Sequence, residues 1–306
     1  MVSNHTHQSQ SHMDHTALFC TIDDFCKVFE PVYHQWLKES GHVKRIKPAK
    51  ICLSEILWIA VLFPQSAIKC FKRFYFAMQQ YWDRTLLRHW LSYSQVNALI
   101  HQHQIALASL CQFLNQQARL TDVYVIDSTP LSVCKNKRIN RHKTFAHLAK
   151  RGKSSTGWFY GFKLHALINQ DGEIASIAIS AGNVDDRRKA TDLVADIVLQ
   201  KGDGELIVVG DRGYISKQLA ATFLEQGIVL LTRSRKNMPD QSRDDDQEHW
   251  LSQRGKVETV FGLLKNHLGL EHSRHRSFKG LMCHVLAVVI SYAFRTNKPA
   301  LTPLNP

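Results

Sequence analysis

The sequence predicts an α/β protein in which a mixed sheet follows an all-helical N-terminal region, and three observations carry that expectation. Glycine is almost absent from the first 120 residues, where only Gly41 occurs, and the apolar residues there recur at helical spacing. After about Leu120 the pattern changes to short runs of β-branched and aromatic residues bounded by turn formers. Those runs then alternate with helical stretches, as in a sheet with crossover connections.

Taken in order, "LSEILWIAVLF", "IKCFKRFYFAMQQYW" and "SQVNALIHQHQIALASLCQFLNQQ" read as helices, with Ser54 and Ser92 or Ser94 as N-caps. "VYVIDS" is the first strand, a buried run bounded by Pro130. A basic connection follows, and then come "WFYGFKLHALI" and "EIASIAISAG", joined by a hairpin turn at Asp171-Gly172. A helix over roughly 186 to 200 leads to the strand "ELIVVGD". Another helix at 216 to 226, the strand "IVLLTRS", a polar loop holding "DDD" and a long helix beginning near Trp250 complete the order. Trp158, Phe159 and Tyr160 read as core rather than as base-stacking surfaces.

With 306 residues, 44% of them hydrophobic, the chain can bury a full core and has room for two domains. The longest apolar runs, Ile56 to Phe63 and Val285 to Phe294, fall short of the roughly 20 residues that span a bilayer. The first 16 residues are polar, without a secretory pattern, so the expected location is the cytosol. Seven cysteines form no CxxC pair and read as small buried hydrophobes in a reducing compartment. Residues 1–17, with His5, His7, His12 and His15, read as a disordered polar tail.

The net charge of +13 points to a polyanionic partner. Between Asp127 and Asp171 there is no acid, yet Lys135, Lys137, Arg138, Arg141, Lys143, Lys150, Arg151, Lys153 and Lys163 all fall there. A solvated face normally mixes signs, so this stretch is suited to phosphates. A membrane surface is a poorer match, because no basic amphipathic helix accompanies the charge.

Two buried runs end in an acid, Asp127 after "VYVI" and Asp211 after "ELIVVG". Alone, each reads as a turn residue. If their strands are adjacent and parallel, both carboxylates emerge on one edge, and a hard divalent ion relieves their repulsion. "QRGKVETVFGLLKNHL" offers a third acid, Glu258, on a helix whose stripe is Val257, Val260, Phe261 and Leu264. Arg254 and Lys265 share its face, so a surface ion pair is the competing reading. Asp185 and Asp186 stand at a helix start and read as caps, with the alternative that either replaces one of these three acids. Lys163 and His165 alternate onto one strand face, with DNA contact and simple exposure about even.

These residues carry a resemblance. Asp127, Asp211 and Glu258 resemble the DDE triad of bacterial insertion-sequence transposases, whose catalytic domain has the RNase H-like fold. "IDSTPL", "HKTFAHLAKRGKSSTGWFYGFKLH", "AGNVDDR", "GDRGYISKQL", "RKNM", "VETVF" and "HSRHRS" resemble the insertion-sequence 982 family in particular, from about Leu18 to Pro299. The resemblance implies two Mg²⁺ or Mn²⁺ ions, with Asp127 on both, Asp211 on one and Glu258 on the other. It implies hydrolysis at the element's ends and then 3′-OH strand transfer. A nuclease lacking strand transfer and a non-catalytic DNA-binding protein are the alternatives.

The implied organisation is a DNA-binding helical region at 18–118 and a catalytic domain at 119–298. The implied partners are double-stranded DNA, as terminal inverted repeats and as target, and no membrane. A homodimer is one assembly that would bring two ends together. Lys143, Lys150, Arg151, Lys153, Lys163, His165, Arg254 and Lys265 are the expected DNA contacts.

Overall fold

The structure is a computed structural model that describes residues 15–303, apart from 42, 47, 48, 67, 83–86, 88, 156, 203, 236, 237, 239–242 and 272–274. The expected tail up to residue 14, the middle of "RKNM" and the first half of "HSRHRS" lie outside the described residues.

Five helices open the fold: α1 (His15–Glu39), α2 (Leu53–Gln65), α3 (Phe71–Tyr81), α4 (Tyr93–Gln102) and α5 (Gln104–Gln116). Residues 15–17 are therefore helical rather than tail. The α2 cap is Cys52, not Ser54, because the Glu55 carboxylate turns back and accepts the Cys52 N–H at 2.7 Å. At α4 the expected Ser92 caps, its hydroxyl accepting the Gln95 N–H while the Gln95 side chain accepts the Ser92 N–H. The single helix expected over 94–117 breaks at His103, whose backbone leaves the helical region at φ −92°, ψ 28°.

Six strands follow: β1 (Val123–Cys134), β2 (Lys150–Ser154), β3 (Gly157–Asn169), β4 (Ile174–Ala181), β5 (Leu206–Gly210) and β6 (Ile228–Thr232). The sheet order is β2-β3-β1-β5-β6, with β4 also on β3. One edge of β3 pairs with β1, and the other is divided between β2, over Gly157–Gly161, and β4, over 162–168. β1 and β3 run antiparallel, whereas β1, β5 and β6 are parallel, with α6 (Ala190–Lys201) and α7 (Lys217–Leu224) between consecutive strands. The β3–β4 turn needs Gly172: φ is +76°, and a Cβ there would come 2.6 Å from the Pro299 carbonyl.

β1 continues six residues beyond the expected "VYVIDS" and passes through Pro130, which pairs with Lys163. Pairing with β5 ends at Ile126, so beyond it β1 has an open edge where a missing N–H costs no ladder bond. The basic connection is likewise not one loop. It holds the end of β1, a 3₁₀ turn at Asn136–Arg141 and the strand β2.

Both sheet faces are covered. Tyr124, Ile126, Leu167 and Val208 pack against α6 and α7, while Val123, Val125, Leu164, Ala166 and Val209 share a core with α1, α2, α5 and the C-terminal helices. Those are α8 (Asp245–Gln253), α9 (Lys256–Gly262) with a π-helical turn at Leu263–His267, and α10 (Phe278–Ala293). The one long helix expected from Trp250 is thus broken at Arg254–Gly255. On α10, Ser291 donates to the Val61 carbonyl of α2 at 2.6 Å, and Tyr292 donates to the Gly172 carbonyl at 2.6 Å. The change of element type near residue 118 is therefore crossed by a continuous core. Cys26, Cys111 and Cys283 are buried as expected, whereas Cys20 and Cys70 are exposed. No helix among the described residues is long and apolar enough to cross a membrane.

Leu57 of α2 is fully buried in that shared core. Leu57→Ala should cost about 2–5 kcal/mol, and the loss should appear in amide exchange at Val125 of β1 as well as within α2. Faster exchange confined to α2 would mean that the helices unfold separately from the sheet.

Candidate active site

β1 and β5 are parallel, and Ile126 pairs with Gly210. The next residues are Asp127, inside β1 just past the last β5 pair, and Asp211, just past the end of β5, so the two acids stand side by side at the carboxyl end of β5, where α/β sheets place their ligands. Asp127 is only 18% exposed at its side chain. One of its oxygens accepts the Ser128 N–H at 2.7 Å, and the other accepts from Arg254 Nη1 at 3.2 Å. Asp211 caps the short turn that follows it, its Oδ1 accepting the Gly213 N–H at 2.7 Å. Burial pushes the Asp127 carboxyl up to about 7; the Asp211 and Asp186 charges add to the rise, while the Ser128 N–H and Arg254 oppose it.

Glu258 stands in the first turn of α9, whose Val257, Val260, Phe261 and Leu264 are buried in the expected stripe. Arg254 Nη2 donates to Glu258 Oε1 at 2.7 Å. One guanidinium thus reaches Asp127 with one nitrogen and Glu258 with the other, joining the sheet edge to the helix. The competing reading, an Arg254–Glu258 ion pair, is present, and the same arginine also holds Asp127.

Asp185 caps its turn as expected, accepting the Arg187 N–H at 3.0 Å. Asp186 does not cap: its carboxylate takes Lys163 Nζ at 2.9 Å, and His165 Nδ1 lies 3.7 Å away. His165 is fully buried and hydrogen-bonded to Ser180 at 2.7 Å, with its pKa lowered chiefly by that burial. The DNA contact expected of His165 is therefore corrected, because the ring faces α6 and α7 rather than solvent. Lys163 is likewise engaged by Asp186 and the Val184 carbonyl. Tyr214 escaped the sequence reading apart from its place in "GDRGY". Its buried hydroxyl has no hydrogen-bond partner among the described residues, and burial, Asp186 and Asp127 all push its pKa upward.

The remaining cations fall in two groups. Lys143, Lys150, Arg151 and Lys153 are exposed, on a connection pinned to the sheet by Phe145, whose ring packs 5.9 Å from Phe162. Lys150 pairs with Gly161 and Lys153 with Trp158, five and eight residues along β3 from the partner of Asp127. At about 3.3 Å per residue this places them ~16 to ~26 Å from the acids, rather than at them. Lys265 is ion-paired to Glu271 at 2.8 Å. Trp158, expected in the core, is 55% exposed at the hairpin end, with Arg151 5.2 Å and Lys153 5.9 Å from its ring centre. Phe159 and Tyr160 are buried as expected.

Asp127 and Asp211 offer hard oxygen donors, and burial chiefly, with the Asp211 charge adding to it, disfavours the Asp127 anion, so their chemistry fits a hard dication. Among the described residues no three potential ligands converge into a ready-made metal cluster, since Glu258 is turned onto Arg254.

The Asp127 value gives a stability prediction. Its folded value lies above the ordinary 3.8, so the folded protein holds an extra proton between about pH 4 and pH 7, and stability falls as pH rises through that window. Asp127→Asn removes the penalty. In denaturant unfolding without divalent metal, the variant should be more stable at pH 8 by up to about 4 kcal/mol, with the difference gone below about pH 4. Equal stability at pH 8 would contradict the burial argument.

The model of the family described as "Transposase DDE domain" matches residues 117–278, more than half of the chain and the span that holds all three acids. Among solved structures, the catalytic domain of Mos1 mariner transposase is similar at 12% identity, with a TM-score of 0.25, over 67% of this chain and 95% of that one. No curated protein matches. The mixed sheet with helices on both faces is of the RNase H-like kind that transposase catalytic domains use. On the family match, the chain belongs to the DDE transposases, enzymes of the DDE nuclease and transferase type.

Proposed function

We propose that the chain is the transposase of a bacterial insertion sequence of the 982 family, which cuts DNA at the element's ends and joins the freed 3′-OH to target DNA. The observation that carries this reading is the pair of aspartates on adjacent parallel strands, where the β1–β5 pairing ends, with Glu258 tied to Asp127 through Arg254. Asp127, Asp211 and Glu258 would hold two divalent ions, Mg²⁺ or Mn²⁺, whose chemistry when bound is to activate the attacking oxygen and stabilise the departing 3′ oxygen. Arg254 keeps Asp127 and Glu258 within reach of one residue and screens their charge. Hydrolysis and strand transfer are successive in-line displacements, so no covalent enzyme intermediate is required, and the protein's task is positioning and charge neutralisation.

DNA would lie across the carboxyl edge of the sheet. The exposed Lys143, Lys150, Arg151 and Lys153 would track phosphates several base pairs from the scissile bond, given their distance along β3. The helical region would read the terminal repeats, on the same rigid body as the acids because the core is shared. A homodimer would hold two ends, and a nucleoid-associated cytoplasmic location follows from this reading.

On an element-end duplex with Mg²⁺, Asp127→Asn, Asp211→Asn and Glu258→Gln should each cut about a thousandfold more slowly, the few kcal/mol that one metal ligand supplies. DNA binding should persist. A labelled 3′ end joined to a second duplex supports the transposase; cleavage without joining makes the protein a nuclease, and undiminished cleavage removes the altered residue from the triad.

Replacing Lys150, Arg151 and Lys153 by alanine should weaken binding to all sequences alike and flatten the salt dependence by about 0.9 of log-log slope per lost contact. A selective loss of terminal-repeat binding would instead make this strand a base reader.

A further inference from the structure

A second site lies on the helical side, away from the acids. The start of α3, together with α2, α4 and the segment entering α10, encloses a cavity of about 350 Å³. That is the size of a small-molecule site. Its floor is apolar, formed by Ala60, Ile100 and Ala287 among others.

The lining is rich in rings. Phe71 packs 5.3 Å from Phe63 and 6.0 Å from Tyr93. His284 continues the cluster, 5.9 Å from Phe63 and 4.9 Å from His275. Lys69, Lys72 and Arg276 are exposed at the mouth, and no described lining residue is acidic. Lys72 lies over the Phe76 and Tyr93 rings, 5.6 and 5.9 Å from their centres. Apolar and aromatic walls with three cations at the entrance select a flat aromatic group carrying a phosphate. Asn97, also in the lining, adds an amide able to donate to and accept from a base edge.

The cavity is tied to the catalytic sheet. Phe278, beside Arg276, packs 5.4 Å from Phe162 of β3, and Phe162 pairs with Leu131, four residues past Asp127 on β1. That separation is ~13 Å along the strand.

We propose that this cavity receives one unstacked nucleotide of the bound DNA, its base against the aromatic and imidazole rings and its phosphates on Lys69, Lys72 and Arg276. The proposal rests on the DNA-cutting reading above. Unstacking a base costs a few kcal/mol, least where the base is already unpaired. The occupant is a DNA nucleotide rather than a free one, because the acid-free basic connection and the net charge of +13 supply a polymer site on the same body.

The test uses the full chain, without divalent metal, and a duplex carrying one unpaired 2-aminopurine nucleotide beside the same duplex fully paired. Stacking worth 1–3 kcal/mol per base should make the unpaired duplex bind about tenfold or more tightly, with a change in 2-aminopurine emission. In the double variant Lys72→Ala, Arg276→Ala, both surface changes, that preference should disappear while the paired duplex still binds. Equal wild-type affinity for the two duplexes would overturn the proposal and leave the DNA reading intact; failure to bind either would overturn both. Binding of 2-aminopurine mononucleotide alone as tightly as the unpaired duplex would overturn the DNA assignment in favour of a free nucleotide.

Discussion

A carboxylate kept out of water beside a second carboxylate is the constraint on which this structure turns. Asp127 is largely buried within a central strand, and Asp211 stands beside it because β1 and β5 are parallel and in register at Ile126 and Gly210. Burial disfavours the charge and the second carboxylate adds to the cost, which the raised Asp127 pKa expresses. Arg254 offsets part of it. Its position in turn depends on α9, which the buried Val257, Val260, Phe261 and Leu264 anchor against the shared core. The packing of one helix thus sets where Glu258 and its arginine meet the sheet.

The same reasoning links stability to activity. Removing the Asp127 charge should make the protein more stable at neutral pH and, on the proposed mechanism, would remove a group the chemistry uses. Strain of this kind persists only where the surroundings over-determine the geometry. Here both sheet faces are covered, and the helical region contributes to the core beneath the acids. DNA recognition by the helices and catalysis at the sheet edge would then act on one rigid body, with no hinge needed to align them.

Much of this was legible in the residues. The two aspartates stood out because uniform runs of β-formers led into them, although only Asp211 ends its strand, and Glu258 because its apolar stripe fixed which face of α9 was free. The course of β1 past Pro130 was not, since proline reads as a strand end unless one knows that β5 stops at Ile126. The basic connection concealed β2, a strand of Lys, Arg, Gly, Lys and Ser with no β signal of its own, formed by pairing with β3. His165 was misjudged because alternation shows which residues share a face, not whether helices cover it. Arg254 was noticed as a flanking charge, but its bond to Asp127 spans 127 residues of sequence, beyond the reach of local spacing.

The central claim is that Asp127 is a proton-holding carboxyl whose charge a divalent cation restores. Calorimetric titration of the protein with Mg²⁺ at pH 7, in two buffers of different ionisation enthalpy, measures the protons released on binding. With a carboxyl near 7 the account predicts release of about half a proton in the wild type and none in Asp127→Asn. Mg²⁺ binding without proton release in the wild type, or with the same release in the variant, would contradict it.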